Sequence, residues 1–165
     1  LGDVERVFAF IGRTRVVRHH EIRTGAFVDS PSMVIWKYSG VEKYGSWEVV
    51  ESQDLVVRTR YYPMDVWVEI TGSTGVLWVN QSTGHMLDRP SVEMYRDGVI
   101  TGYSDVDSDY ATSFVRAVHD FADAILEGRQ SELTGPEGRD VLRLSLAILL
   151  SGREHREVRV DEITD

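Results

Sequence analysis

The hydrophobic pattern of this sequence changes its period once, near residue 107, and this change limits the folds that the chain can adopt. Before it, short runs rich in β-branched and aromatic residues alternate with turn residues; after it, apolar residues recur every three or four positions. Strands followed by helices indicate an α+β fold. We therefore expect a mostly antiparallel (mixed) open sheet with two helices, from the second half of the chain, packed on one face.

The expected strands are runs of β-branched and aromatic residues bounded by turn residues. Asp97-Gly98 is a dipeptide that favours the positive φ angles of a two-residue hairpin turn, so the runs on either side of it are expected to pair. The runs at 33–38 and 46–51 are expected to be neighbours across the turn-prone Ser39-Gly40. In full, the expected strands cover residues 4–11, 33–38, 46–51, 65–71, 75–80, 92–96, 99–101 and 157–160.

Two helices are predicted after the change of period. The first has Asp107 or Ser108 as its N-terminal cap and Gly128 as its stop, and its apolar residues are Tyr110, Phe114, Val118, Phe121 and Ile125. The second begins with the capping pattern of Thr134, Pro136 and Glu137 and runs to Gly152. Because residues 141–150 leave little polar surface, we expect this helix to be buried on most sides.

Length and composition restrict both the organisation of the chain and its partners. The 165 residues predict a single domain, 1–165, and the beginning at Leu1 suggests a domain truncated at its N-terminus. A net charge of -9 without a basic patch argues against nucleic acid as a partner. The absence of cysteine predicts a cytoplasmic location without disulfides or thiolate metal sites. The longest apolar run, 144–150, is too short to cross a membrane.

The segment ITGSTGVLWVN at 70–80 has the glycine content of a phosphate-binding loop. Such loops lead from a strand directly into a helix, whose N-terminal amides bind the anion. Here Gly72 and Gly75 lie between two expected strands, and no Lys follows the second glycine. We interpret the segment as the corner of a hairpin, with glycines at backbone conformations that a Cβ would strain. No cofactor-binding residue is predicted in it.

The remaining polar groups do not form a recognisable active site. Adjacent residues on a strand point to opposite faces, so His19 and His20 are not expected to chelate a metal together. Asp105, Asp107 and Asp109 alternate as in a calcium loop, but the Gly and closing Glu of that motif are missing, which favours a helix cap. We predict no catalytic residue and no metal ligand in this chain.

Four tryptophans fall in expected strands, namely Trp36, Trp47, Trp67 and Trp78. Core packing explains any one of them. If two helices cover one face of a sheet, however, the other face also needs an occupant, and broad apolar side chains there are typical of a partner surface or a ligand wall. We therefore expect at least one tryptophan at an interface and a homo-oligomer formed through the open sheet face.

The end of the chain resembles a known family. The segment FVRAVHDFADAILEGRQSELTGPEGRDVLRLSLAILLSGREHREVRV is similar to the C-terminal end of the glucose-fructose oxidoreductase and inositol dehydrogenase family (Gfo/Idh/MocA). DVWVEITGSTGVLWV resembles that family's strand, Gly-x-x-Gly corner and strand, and LGDVERVFAF the first strand of its open sheet. The residues that carry the match are Phe114, Phe121, Ile125, Gly128, Gly138, Leu144, Ser151 and Val158.

The resemblance implies a two-domain oxidoreductase of which this chain is the C-terminal part. In the family, an N-terminal domain binds NAD or NADP and supplies a catalytic lysine, and many members carry an Asp-x-x-x-His pair just before the strand that LGDVERV resembles. This sequence contains no Gly-x-Gly-x-x-Gly, Glu-Lys-Pro or Asp-x-x-x-His. The fragment is therefore expected to bind no cofactor and to be inactive alone, while the full-length protein would use NAD or NADP.

One possible substrate contact follows from the resemblance. Sugar and inositol dehydrogenases of the family use a tyrosine, in the segment that enters the strand before the Gly-x-x-Gly corner, to contact the polyol. Tyr62 occupies that place in RTRYYPMDVWVEI, and Tyr61 is the weaker choice. The alternative for Tyr62 is a tyrosine that ends a strand with its ring packed and its hydroxyl in water.

Two classes of function follow from these observations. The first is the substrate-binding and oligomerisation domain of an NAD(P)-dependent oxidoreductase that acts on a sugar, polyol or related hydroxy compound, with a small-molecule substrate in the full-length protein. The alternative is a stand-alone β-sheet module for protein–protein interaction or self-association. A lesser alternative is a domain that binds a small molecule on the concave side of the sheet.

Overall fold

The computed structural model describes residues 2–15, 27–50, 66–80, 89–106 and 109–164. They belong to two compact units: the first comprises Leu1–Gln53 and Leu133–Asp165, and the second Asp54–Glu132. In chain order the elements are β1 (Val4–Ile11), β2 (Thr14–Arg15), β3 (Phe27–Val28), β4 (Ser32–Tyr38), β5 (Tyr44–Val49), β6 (Trp67–Thr71), β7 (Gly75–Asn80), β8 (Val92–Arg96), β9 (Val99–Tyr103), α1 (Tyr110–Glu127), α2 (Gly135–Glu154), β10 (Val158–Arg159) and a 3-10 turn at Val160–Glu162.

The first unit contains a four-stranded antiparallel sheet in the order β10-β1-β4-β5, which we call the first sheet. β4 and β5 are neighbours, as the sequence predicted. The short strands β2 and β3 form a separate antiparallel pair. The first sheet joins the two ends of the chain, because β1 pairs with β10 and places Val7 opposite Val158.

Helix α2 packs on β1 and β10, on one face of the first sheet. Val7, Ala147 and Val158 form the buried core between helix and sheet. Where α2 meets the sheet, Ala147, Ser151 and Gly152 are buried, and Leu144, Ile148 and Leu150 pack partly buried against the same core. At Gly152 the side chain of Ile11 lies so close that a Cβ would be 2.6 Å from its Cδ1 atom. The helix therefore approaches the strand closely, and bulk at position 152 would displace it.

A buried hydroxyl fixes α2 to the sheet. Ser151 is fully buried; its Oγ accepts a hydrogen bond from the backbone N–H of Ala9 at 3.0 Å and donates one to the carbonyl oxygen of Arg156 at 2.5 Å. Farther along, the Arg143 guanidinium donates from Nε and Nη2 to the carbonyl oxygen of Ile163. Two side chains of α2 thus hold the sheet on one side and the end of the chain on the other.

The ends of both helices were largely predicted from their sequence. Thr134 caps α2 with the expected reciprocal bonds to Glu137, and Gly128 ends α1 in the left-handed region at φ 66°. The cap of α1 is Asp109, whose Oδ2 accepts from the backbone N–H of Thr112 at 2.8 Å, and not Asp107 or Ser108. Helix α2 runs past Gly152 and ends at Glu154.

The prediction that α2 is buried on most sides was wrong. Its buried residues are Ala147, Ser151 and Gly152. Leu144, Ile148 and Leu150 are only partly buried against the core, and four other large apolar side chains are exposed, namely Val141, Leu142, Leu146 and Leu149. The small residues make the contact because they let the helix axis come close to the strands, which larger side chains would prevent.

The second unit contains a four-stranded antiparallel sheet in the order β6-β7-β8-β9, which we call the second sheet. Asp97 and Gly98 turn β8 into β9 with φ angles of 52° and 81°, the predicted two-residue hairpin. Helix α1 belongs to the same unit. Ala124 of α1 is buried, whereas the large apolar residues of the helix are more than half exposed, namely Phe114, Val115, Val118, Phe121, Ile125 and Leu126.

Candidate functional site

The first sheet has one face that α2 leaves uncovered. Along β1, Val7 and Ala9 point toward the helix, so the alternation of a strand places Phe8 and Phe10 on the opposite face. The pairing of β1 with β4 and of β4 with β5 adds the other members of this surface. We call it the uncovered face; its apolar residues are Phe8, Phe10, Met33, Ile35 and Tyr44.

The uncovered face exposes large apolar side chains to solvent. Phe10 is 63% exposed, Ile35 52% and Tyr44 86%. The rings of Phe8 and Phe10 meet edge to face with their centroids 4.9 Å apart, which holds both rings in place on the surface. Adjacent apolar side chains that remain this accessible are typical of a surface that meets a partner or a ligand.

A groove of about 350 Å³ lies at one end of the uncovered face. Its apolar walls come from Phe8, Ile35 and Tyr44, and its polar residues are Arg6, Lys37 and Glu157, with Val7 and Trp36 completing the lining. The volume is within the range of small-molecule sites. The groove can therefore receive either an apolar side chain of a partner or a small organic molecule.

The charges at this groove are held in ion pairs. Arg6 Nη2 lies 2.7 Å from Glu5 Oε1, and Arg6 Nη1 lies 3.2 Å from Glu157 Oε1. The hydrogen bond from Arg6 lowers the pKa of the Glu5 carboxyl, and the same bond raises the pKa of Arg6. Both groups therefore stay charged at neutral pH. Together with Glu157 they give the groove a charged border.

The two faces of the second sheet differ in chemistry. One face is mostly apolar and carries Val68, Ile70, Leu77, Val79, Val92, Met94, Val99 and Tyr103 together with Thr101 and, at one end, Arg96. The other face carries hydrogen-bonded polar and aromatic side chains. There, Trp78 Nε1 donates to Glu69 Oε2 at 2.8 Å, and Asn80 Nδ2 donates to Glu93 Oε2 at 2.7 Å. These contacts lock side chains across three strands.

The glycine-rich segment at 72–75 is a hairpin corner, as predicted. Thr71 pairs with Val76, and the N–H of Gly72 donates to the carbonyl oxygen of Gly75 at 2.9 Å. The reason for the glycines differs from the expected one, because neither has a positive φ angle. At Gly75 a Cβ would collide with the carbonyl oxygen of Tyr95 on the neighbouring strand, so a close backbone approach explains that glycine.

The residues that the sequence singled out are only partly within the described ranges. Tyr62 and Tyr61, the predicted substrate contacts, lie outside the described residues, as do His19 and His20. Asp109 serves as a helix cap, in agreement with the cap interpretation of the acidic series. Within the described ranges, no group of three or more His, Asp or Glu side chains is arranged to hold a metal ion.

The four tryptophans divide between core and surface. Trp36 packs against the core of the first unit, and its ring lies over Gly45 of β5. Trp47 is 51% exposed and Trp67 is 59% exposed. Tryptophan is enriched at interfaces, and the expectation that at least one of the four meets a partner remains a prediction.

Comparison with solved structures finds clear relatives in fold. An oxidoreductase from Agrobacterium radiobacter, solved with NAD+, L-tartaric acid and magnesium, matches 98% of this chain with a TM-score of 0.71 and 14% identity. An NAD-binding oxidoreductase from Klebsiella pneumoniae matches 99% with a TM-score of 0.64 and 16% identity. A levoglucosan dehydrogenase, in complex with NADH and levoglucosan, matches 98% with a TM-score of 0.63 and 19% identity.

This is the fold of the C-terminal part of NAD-binding oxidoreductases. The chain covers 45%, 46% and 46% of those three proteins, respectively, so it spans less than half of their length. No protein-family model and no curated protein matches the sequence. The α+β class, the antiparallel sheets and the two helices confirm the fold that the resemblance in sequence implied.

The groove on the uncovered face was not predicted from the sequence. Its residues come from β1, β4 and β5 and from Glu157, more than 110 positions away from the nearest of them in the chain. The alternation in VERVFAF was a usable signal, because it separates Val7 and Ala9 from Phe8 and Phe10. Tyr44 was missed since β5 begins at that residue, whereas the expected strand began at residue 46.

Proposed function

We propose that this chain is the C-terminal substrate-binding and oligomerisation domain of an NAD(P)-dependent oxidoreductase that acts on a sugar, polyol or related hydroxy compound. One observation carries the proposal: nearly the whole chain matches the fold of oxidoreductases whose remaining length it lacks. We further propose that the two compact units belong to a single domain, residues 1–165, and that the protein is cytoplasmic. No described helix is long and apolar enough to span a bilayer.

The proposed division of labour places the redox chemistry outside this chain. In the full-length protein NAD or NADP would exchange a hydride with a carbinol carbon of the substrate, and the groups that move the proton would come from the other domain. This chain would contribute one wall of the substrate site. Tyr62, with Tyr61 as the second choice, remains the proposed contact to a substrate hydroxyl, and the isolated chain is proposed to be inactive.

Cofactor binding provides the first test of this division. Isothermal titration of the purified chain with NAD, and separately with NADP, is expected to show no saturable heat, and a full-length solved neighbour serves as the positive control. Saturable binding with a Kd in the micromolar range would contradict the proposed placement of the cofactor site. Saturable binding of a sugar or polyol to the isolated chain would mean that the whole substrate site lies within this chain.

The proposed oligomer forms through the uncovered face. Replacing Ile35, at the centre of this face, by Asp puts a charge where apolar surfaces would meet, so Ile35→Asp is expected to shift the chain toward monomer in sedimentation. The matched control is Val141→Asp on the exposed side of α2, since Val141 is 64% exposed and lies outside the face. A wild-type chain that stays monomeric at high concentration would contradict the proposal.

The alternative function is a stand-alone β-sheet module for protein–protein interaction or self-association. The observation that favours it is that the uncovered face is a broad apolar surface, of the kind that a partner protein covers. The genomic sequence preceding the codon of Leu1 separates the two proposals. A strand followed by Gly-x-Gly-x-x-Gly, then Lys and Asp-x-x-x-His, would support the oxidoreductase, whereas a start codon at that position would favour the stand-alone module.

A further inference from the structure

The outer edge of the second sheet lacks the usual protection of an edge strand. Proteins block such edges with charged residues, proline, bulges or very short strands, because an open edge pairs readily with another strand. Three of the four edges of the two four-stranded sheets are protected by a charge: Arg159 in β10, Glu48 in β5 and Glu69 in β6. The fourth, β9, reads VITGY and contains neither charge nor proline.

β9 is also regular and accessible. Its pairing with β8 proceeds without a register shift from Arg96–Val99 to Val92–Tyr103. Val99 is 61% exposed and Ile100 is 62% exposed. Among the residues that the structure describes, no strand pairs with the outer side of β9. A regular, uncharged and exposed strand of five residues is a template for β-sheet extension.

The turn determines which backbone groups of β9 face outward. In a two-residue hairpin the residues that flank the turn form a hydrogen-bonded pair, and hydrogen-bonded and non-hydrogen-bonded pairs alternate from there. Val99, Thr101 and Tyr103 therefore direct their N–H and C=O groups toward β8. Ile100 and Gly102 direct theirs away from the sheet, where they present two donors and two acceptors to an incoming strand.

We propose that the occupant of this edge is β9 of a second copy of the chain, paired antiparallel about a two-fold axis at Thr101. This register is the one that pairs all five residues of both strands. It places Ile100 opposite Gly102 of the second copy and Gly102 opposite Ile100, so that the outward N–H and C=O groups of both residues satisfy one another. Four backbone hydrogen bonds form in this register. They use all eight outward N–H and C=O groups of Ile100 and Gly102 in the two copies.

The side chains of β9 complement themselves in the same register. Thr101 meets Thr101 of the second copy, and Val99 meets Tyr103; threonine pairs and aromatic–β-branched pairs are favourable across strands. Ile100 meets Gly102, which has no side chain of its own and is overlain by the ring of Pro90. No like charges meet, although the chain as a whole carries a net charge of -9. Since a foreign strand would have to supply each of these matches, the strand's own sequence favours a second copy as the partner.

A single cysteine tests the register directly, because the natural chain has none. In a non-hydrogen-bonded antiparallel pair the Cα atoms are about 4.5 Å apart, within the range that a disulfide spans. Under mild oxidation Thr101→Cys is expected to give a disulfide-linked dimer on a non-reducing gel. Ile100→Cys is the matched control: position 100 is also exposed but faces Gly102 of the second copy, so no cross-linked band is expected.

A charge exchange provides an independent measurement that does not depend on oxidation. Thr101→Lys and Thr101→Glu each place like charges opposite one another and are expected to lose the edge-paired species in sedimentation, whereas an equimolar mixture is expected to recover it as a heterodimer. Circular dichroism confirms that each variant is folded. Equal cross-linking of the two cysteine variants, or no recovery in the mixture, would overturn the proposal.

This pairing does not depend on the proposed function, because it uses a different surface from the uncovered face. Ile35→Asp is expected to leave the Thr101→Cys cross-link unchanged, and Thr101→Lys is expected to leave association through the uncovered face unchanged. If Thr101→Cys forms no cross-link either alone or combined with Ile35→Asp, the proposed edge pairing is wrong and the proposed function is unaffected. If the cross-link forms but the chain shows no other association, only the proposed association through the uncovered face is wrong.

Discussion

The two units of this chain are both built around a four-stranded antiparallel sheet, but they differ in how that sheet is buried. Of the six described apolar residues that are buried, five belong to the first unit and one, Ala124, to the second. In the first unit a helix covers two strands, β1 and β10, on one face of the sheet. The second sheet owes its order largely to ladder hydrogen bonds and side-chain contacts across strands. The first unit therefore has a buried apolar core, whereas the described apolar residues of the second unit are mostly exposed.

The difference originates in the sequence of the helices. Helix α2 turns Ala147, Ser151 and Gly152 toward the sheet, and these small residues allow close contact over a short stretch. Helix α1 has a wide apolar side of large residues, which remain exposed. A strongly amphipathic helix is therefore no guarantee of burial within its own unit, and small residues at the contact decide how closely a helix approaches a sheet.

The largest expected effect comes from placing the same charge in the two sheets. Val7→Asp buries a carboxylate without a partner in the first unit and is expected to cost about 4 kcal/mol or more of unfolding free energy. Val68→Asp in β6 is the matched change in the second unit, where Val68 is 43% exposed, and is expected to cost about 1 kcal/mol or less. Urea unfolding measures both. Equal losses would mean that the two sheets are equally buried in solution.

The next effect tests the hydroxyl that fixes α2 to the first sheet. Ser151→Ala removes the acceptor of the Ala9 N–H and the donor to the Arg156 carbonyl, and leaving these buried groups unpaired is expected to cost about 1–3 kcal/mol. Ser145→Ala, on the exposed side of the same helix, removes only a bond to the Val141 carbonyl and is expected to change stability by about 0.5 kcal/mol or less. Thermal unfolding distinguishes them, and a neutral Ser151→Ala would show that water replaces the hydroxyl.

The smallest expected effect is a loss of stability in acid that falls mainly on the first unit. Hydrogen bonds from Arg6, Arg159 and Arg156 lower the pKa of Glu5, Asp161 and Glu162, respectively. Because the folded pKa values lie below the ordinary values of 4.5 for Glu and 3.8 for Asp, the unfolded chain binds more protons in acid. The stabilisation is complete above pH 4.5 and is lost as the pH falls through the folded pKa values.

Thermal unfolding between pH 7 and pH 3 checks this expectation. The Tm is expected to be level down to about pH 5 and then to fall, and the fall is expected to be shallower for Glu162→Gln, which removes one of the titrating groups. Added salt is expected to weaken the effect because these pairs are exposed to solvent. A Tm that falls equally in the wild type and in the variant would assign the acid sensitivity to other carboxylates.

Much of the fold could be predicted because its signals are local. The β-branched and aromatic residues of VERVFAFI predicted the bounds of β1 (Val4–Ile11), and Asp97-Gly98 predicted the hairpin, since both depend on the preferences of adjacent residues. The capping pattern at Thr134 located the start of α2 for the same reason. These features require no knowledge of what lies far away along the chain.

The features that could not be predicted depend on distant residues. The prediction that α2 is buried on most sides failed because an apolar sequence does not reveal which side meets the sheet. Here Ala147 and Ser151 are buried, whereas Leu146 and Leu149 are exposed. The groove on the uncovered face brings Glu157 to Arg6, a pairing that no local pattern indicates. Tyr62 and Tyr61 were chosen by the resemblance to a family and remain predictions.

The pairing of β1 with β10 affects the order in which the two units can fold during synthesis on the ribosome. Val7 pairs with Val158, which is added to the chain 151 positions later. At a synthesis rate of about 5–20 residues per second, β1 therefore spends roughly 8–30 seconds without β10. The hairpins of the second sheet, whose strands follow one another, can close during that interval. The inserted unit is therefore expected to fold before the unit whose two segments enclose it in the chain.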